Sequence, residues 1–253
     1  MSIELAVIGG TGLYKLAALN DARAMDGTTI YGEPSGPVRV GRIAGRQVAF
    51  LARHGEGHSL PPHKVNYRAN LRRLADLGVR RVLAVNAVGG ITAAYGPRVL
   101  ALPDQLIDYT WGRISTICEE GDSEVVHVDF GEPYTASLRE EVLRAAAAAG
   151  VAVTDGGCYG VTQGPRLETR AEIARLRRDG CDLVGMTSMP EAALAREMGL
   201  DYACLALVAN WAAGCGAEVL GQAAPEITMD EVLGNVEAAS AGLPALLEKL
   251  LAG

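Results

Sequence analysis

Apolar positions along the chain fall into short continuous runs, separated by stretches with three- and four-residue spacing. The clearest case lies between residues 181 and 214. Residues 182–185 form a short apolar run that ends in the polar turn Met186-Thr187-Ser188. Residues 190–198 have helical spacing, with Ala193, Leu194 and Glu197 in register and Gly199 as a stop. Residues 202–209 are apolar without alternation, as expected of a strand covered on both faces, and end in Asn210. This pattern predicts a strand–helix–strand unit whose strand ends carry Met186, Thr187 and Asn210. In open α/β sheets ligands bind beyond the carboxyl ends of the strands.

The same pattern predicts strands at residues 3–8, 81–85, 100–107 and 158–162, and a hairpin around Gly45 from residues 38–42 and 47–52. Helices are predicted over 66–77, 137–149 (stopped by Gly150), 170–178 and a terminal region over 229–251 interrupted near Pro244. Residues 29–37 are turn-rich. Residues 111–134 are irregular, and so long a connection inside a compact domain is usually functional or an interface. No repeat, low-complexity linker or boundary divides the chain, so residues 1–253 are expected to form one α/β domain, long enough to bury a sizeable core.

Composition narrows the classes of function. The formal net charge of -7 offers no basic stripe to meet nucleic-acid phosphates in bulk, although a single phosphate site stays open. The five cysteines form no C-x-x-C pair and read as reduced, buried thiols of a cytosolic protein. No run is apolar enough to span a membrane and no signal core follows the N-terminus, so a cytoplasmic protein is expected.

Candidate chemistry gathers at predicted strand ends. The first strand runs into Gly9-Gly10-Thr11-Gly12, a turn whose amides and hydroxyl can meet an anion. A dinucleotide fingerprint would need a glycine where Lys15 stands. A second strand ends in Arg53-His54, where arginine can clamp phosphate oxygens and His54 can donate a further hydrogen bond. An arginine there, facing a ligand, is expected to support little of the core. His54, His58 and His63 lack the carboxylate or cysteine that would complete a zinc set, and Pro61-Pro62 breaks any helix that would align them. A third small-residue turn, Asn86-Ala87-Val88-Gly89-Gly90, follows the strand at 81–85 and suits a ribose or base edge lying against backbone.

Taken in order, GGTGL, ARHG, NAVGG, TQGPRLET, GMTSMPEAALARE and LVANWAAG resemble the trimeric purine nucleoside phosphorylase and methylthioadenosine phosphorylase family across nearly the whole chain. The resemblance implies a twisted mixed β-sheet flanked by helices and a homotrimer. It also implies phosphorolysis of a small nucleoside, with inorganic phosphate as co-substrate and no metal or organic cofactor. Thr11, Arg53, His54, Ala87 and Thr187 match the family's phosphate positions, with Asn86 beside Ala87. Met186 matches the ribose-holding residue. His127 matches a residue that reaches into a neighbouring subunit's 5′ pocket in methylthioadenosine phosphorylases.

The base end implied by the resemblance is of the 6-oxopurine type. Methylthioadenosine phosphorylases carry an aspartate pair where this chain has Asn210 and Ala212, flanking Trp211, whereas 6-oxopurine enzymes share Asn210 and Glu168. A carboxylate accepts the N1–H of hypoxanthine, while adenine would present it with a second acceptor. The 5′ end is of the other type: Met229 stands where 6-oxopurine enzymes carry a histidine, and Val232 and Leu233 extend an apolar wall suited to a thioether. Asn210, Glu168 and His54 are thus the residues expected to carry the chemistry.

Overall fold

The computed structural model describes residues 3–13, 18–118, 125–222 and 226–253. Its elements begin with β1 (Leu5–Gly9), β2 (Asn20–Met25), β3 (Val38–Ile43), β4 (Arg46–Ala52), α1 (Tyr67–Asp76) and β5 (Arg81–Gly90). Next come β6 (Leu100–Leu102), β7 (Gln105–Asp108), α2 (Ala136–Ala149), β8 (Thr154–Asp155), β9 (Cys158–Val161) and α3 (Arg170–Arg178). The chain closes with β10 (Leu183–Gly185), α4 (Ser188–Glu197), β11 (Asp201–Trp211), α5 (Ala217–Leu220), α6 (Met229–Ser240) and α7 (Leu243–Ala252). The described strands form one mixed eleven-stranded sheet.

Both faces of the sheet are covered, which explains the unalternating apolar strands. Successive residues of β1 go to opposite sides. Ala6 and Ile8 pack in a cluster with Leu71 and Leu74 of α1 and Ala192 and Leu194 of α4. Leu5 and Val7 join Leu138 and Val142 of α2, Val236 of α6 and Leu246 and Leu250 of α7.

The central strand, β5, is longer than its apolar run suggests. Asn86–Gly90 continue it rather than turning away, held by their pairing with β11. β11 pairs in parallel along the length of β5. On the opposite edge β1 pairs in parallel with residues 82–85, and β10 pairs antiparallel with Gly89 and Gly90. So β10 and β11 run in opposite senses: the predicted strand–helix–strand unit is formed by β10, α4 and β11, and its two strands are antiparallel.

Two further departures have local causes. The apolar stretch 100–107 breaks at Pro103, which has no N–H for a ladder, and becomes β6 and β7 in different parts of the sheet. β2, exposed over nearly its whole length at the sheet's edge, has no apolar pattern to announce it.

Candidate active site

The β5 geometry opens a gap in the ladder. β1 and β10 approach each other head-on along one edge of β5, and Asn86–Val88 between them have no strand partner on that side. A cavity of about 380 Å³ opens there, within the range of small-ligand sites. Its floor is Gly10 and Thr11 beyond β1, Ala87–Gly89 of β5, Gly185–Thr187 at the end of β10, and Arg53 and His54 beyond β4. Its far wall holds Leu167 and Glu168, then Ala209 and Asn210 of β11 with Ala212 just past it, and Ile227, Met229 and Val232 around the start of α6.

Arg53 lines the cavity floor yet is entirely buried, against the expectation that it supports little of the core. Its Nε and Nη2 each donate to one oxygen of the Glu191 carboxylate at 2.9 Å, and Nη2 also donates to Asn86 Oδ1 at 2.8 Å. Glu191 is as fully buried and accepts a further hydrogen bond from the Tyr202 hydroxyl. Burial alone would lower the guanidinium pKa, but the charge and hydrogen bonds of Glu191 more than offset it and raise it. Nη1 keeps only a 3.4 Å contact with the Val85 carbonyl, so it is the nitrogen left for an anion. It lies beside Gly10, where an added Cβ would sit 3.0 Å from Nη1 and 2.7 Å from the Val85 oxygen. Asn86 does not line the cavity; its Oδ1 holds Arg53, and its buried Nδ2 has no partner among the described residues.

His54 differs from expectation in its hydrogen-bonding sense. Its Nδ1 lies 2.8 Å from the Leu60 carbonyl, an acceptor only, so Nδ1 carries the proton and donates. In the neutral ring Nε2 is then an acceptor. Burial, then the charge of Arg53, push the pKa down to about 4, so the ring is neutral near pH 7. It stacks on His58 with centroids 4.4 Å apart. Among the described residues no histidine, cysteine or carboxylate cluster has the makings of a metal site.

Thr187 is the N-cap residue of α4, yet its hydroxyl makes no cap hydrogen bond and stays free on the cavity floor. Glu168 accepts a hydrogen bond from the Thr162 hydroxyl at 2.5 Å, and burial raises its pKa despite that bond. Asn210 reaches the cavity through a bulge: Val208 pairs with Val88 and Asn210 with Gly89, so Ala209 is the extra residue. One Asn210 Nδ2 hydrogen donates to the Trp211 carbonyl at 2.7 Å, leaving the second hydrogen and Oδ1 for a ligand. The bulged Ala209 carbonyl is held by Asn235 Nδ2 of α6, and Asn235 Oδ1 by Arg98.

Besides Asn86, three expected residues lie outside the lining. The Trp211 ring packs in the cluster beside α3, where a Cβ at Gly216 or Gly96 would approach it to 2.6 or 3.1 Å. Leu233, one helical position past Val232, turns toward Gly12 and is partly exposed. His127 is exposed on the surface of this chain.

A model of the phosphorylase superfamily matches residues 4–252. The chain belongs to the phosphorylase superfamily. A protein of Xanthomonas campestris described as a probable S-methyl-5′-thioinosine phosphorylase is 69% identical over 100% of this chain and 98% of its own length. The 6-oxopurine nucleoside phosphorylase of Pyrococcus furiosus is 44% identical over 86% of this chain and 83% of its own. A methylthioadenosine phosphorylase from an Antarctic soil metagenomic library superposes with a TM-score of 0.88 at 37% identity, over 99% of this chain and 86% of that one. The mixed sheet and the floor of this superfamily member therefore sit in a fold shared by enzymes with differing nucleosides in their names.

Two members of the site escaped the sequence pattern. Glu191 is a carboxylate on the buried face of α4, four residues before Ala195, and a charge on an apolar face signals a buried partner. Arg113 gave no such signal, because its partners are backbone carbonyls. It donates to the carbonyls of Met186 and Met189 at 2.7 Å, and to those of Thr162 and Gln163. It thus ties the turn after β10 to the segment that leads to Glu168.

Proposed function

We propose that this chain is a phosphate-dependent pentosyltransferase that cleaves S-methyl-5′-thioinosine to hypoxanthine and 5-methylthioribose 1-phosphate, a step of purine salvage. The reading rests on one observation: a single cavity joins an anion floor, a Glu168–Asn210 base end and an apolar wall of Ile227, Met229 and Val232. The names of the similar proteins support the same chemistry.

In this reading phosphate sits on Thr11, Arg53 Nη1, His54, the Ala87 backbone and Thr187. A phosphate oxygen attacks C1′ as the C1′–N9 bond breaks, and the bonding pair leaves with the purine. Orientation does most of the work, since bound phosphate needs no protein nucleophile. The phosphate charge stabilises the cationic ribosyl transition state. Met186 packs against the ribose. Glu168 accepts N1–H of the keto base, and the free Asn210 N–H donates near O6 or N7 as negative charge grows on the leaving purine, which then takes a proton at nitrogen. No metal or organic cofactor has a step to perform. The apolar wall meets a 5′-methylthio group and would leave a 5′-hydroxyl without a partner. We also read the enzyme as a cytoplasmic homotrimer, with His127 near a neighbouring subunit's 5′ pocket. No helix among the described residues is long and apolar enough to cross a membrane.

The test is a panel of methylthioinosine, methylthioadenosine, inosine and adenosine, each with and without phosphate. Phosphate-dependent preference for methylthioinosine is expected. Preference for methylthioadenosine would make the enzyme a methylthioadenosine phosphorylase, and equal use of inosine a general 6-oxopurine phosphorylase. Cleavage without phosphate would make it a hydrolase.

A further inference from the structure

His54 brings to the floor a ring nitrogen, Nε2, that in the neutral ring can only accept. Thr11 and Thr187 bring hydroxyls, Ala87 an amide on the unpaired edge of β5, and Arg53 the donor Nη1. His54 spends its only ring proton on the Leu60 carbonyl. At His54 a fully ionised tetrahedral anion would set lone pair against lone pair. Hydrogen phosphate would not: near neutral pH it carries one P–O–H, a donor.

We propose that His54 Nε2 accepts the hydrogen of that P–O–H, and so selects a protonated tetrahedral oxyanion over one that carries no proton. This rests on the phosphorylase reading of the cavity. The consequence is geometric as well as selective. The protonated oxygen is held at His54, and the ionised oxygens are left to Arg53, the hydroxyls and C1′, so the poorest nucleophile of the four is turned away from the reaction. His54 is a specificity-determining residue here, and no bond to it forms or breaks.

The charged and titratable groups that face the ring favour its neutral form. Arg53 at the end of β4, His58 stacked on it from the short turn Glu56–His58, and Arg113 from the 111–118 segment all disfavour a positive imidazole, as does burial itself. Only the Leu60 carbonyl favours it. Sulfate, which stays fully ionised over the working pH range, can bind well only by forcing a proton onto Nε2.

The test is calorimetric titration of the intact enzyme with sulfate, phosphate and arsenate, without nucleoside. At mildly alkaline pH phosphate and arsenate, which keep an O–H, should bind at least about tenfold more tightly than sulfate. Sulfate binding should take up one proton, seen from buffers of different ionisation heat. Its dissociation constant should fall by up to about tenfold per pH unit as the pH drops toward 5. His54→Gln, whose amide can turn to donate, should bind sulfate with no pH slope, and His58→Gln should keep the slope.

Sulfate binding that equals phosphate in the wild type, without proton uptake, would overturn the proposal. So would a slope that follows His58. The wild-type series alone decides should His54→Gln not fold. Failure of the function reading is separate: an enzyme that cleaves no nucleoside with phosphate still reports the anion ratio, and one that cleaves normally can still fail it.

Discussion

Replacing Arg53 should cost the fold as well as the reaction. Arg53→Met removes the partner of a carboxylate with no solvent access and leaves Glu191 only the Tyr202 hydroxyl. Stranding one member of a buried pair costs about 3–5 kcal/mol. Against a total of about 5–15 kcal/mol for a domain, that is a large share. At roughly 2–4 °C per kcal/mol for a chain of this size, the melting temperature should fall by about 6–20 °C. The double variant Arg53→Met with Glu191→Leu removes both charges and should recover most of the loss, because an ion pair desolvated this thoroughly is close to neutral against apolar replacements. Neither variant should retain phosphate-dependent turnover, since both lack Nη1. The assay is denaturant unfolding of wild type, both singles and the double, beside turnover. A single Arg53→Met variant within about 1 kcal/mol of wild type, or singles whose losses simply add in the double, would refute the pairing.

Acid should weaken the enzyme through His54. The folded ring holds its pKa near 4 against an ordinary 6.5, so the unfolded chain takes up a proton that the folded one refuses. That stability is complete above pH 6.5 and declines as the pH falls toward 4, by about 3 kcal/mol at most, and pH-resolved melts of wild type and His54→Asn check it. Met229→His should raise the ratio of inosine to methylthioinosine turnover, since it gives a 5′-hydroxyl a partner and spoils the wall for a thioether; an unchanged ratio in the folded variant removes Met229 from that wall. Asn210→Asp should depress methylthioinosine turnover by roughly tenfold or more by setting a carboxylate against O6. Adding Ala212→Asp and Glu168→Ser should raise methylthioadenosine activity relative to methylthioinosine, read from the same substrate panel.

The sequence pattern carried the helices well. α3 follows its predicted span residue for residue, and α2 ends where Gly150 stops it in the left-handed conformation. These boundaries are written in local chemistry: a Thr169–Glu172 capping box at one, a glycine at the other. The sense of β10 was not legible, because a three-residue strand has the same apolar run in either direction. The floor residues could be located by motif, since each follows or ends an apolar run. Their hydrogen-bond directions could not, because Leu60 takes the His54 proton through a backbone carbonyl that any residue would supply. Likewise Arg53 looked exposed until Glu191, 138 residues away in sequence, was brought against it.

The head-on approach of β1 and β10 divides the cavity mechanically. Its anion end is made of β5 and of the residues just past β1 and β10, two strands held to β5, from parts of the chain near residues 10, 87 and 186. The nucleoside end adds to Asn210 of β11 a connecting segment around Glu168 and the first turn of α6, neither of which is a strand of the sheet. Substitutions there change a wall without disturbing the foundation. One architecture can therefore keep a single attacking group while its leaving group and 5′ substituent drift, and the similar proteins divide along that line: phosphorylases throughout, with thioinosine, 6-oxopurine and thioadenosine in their names.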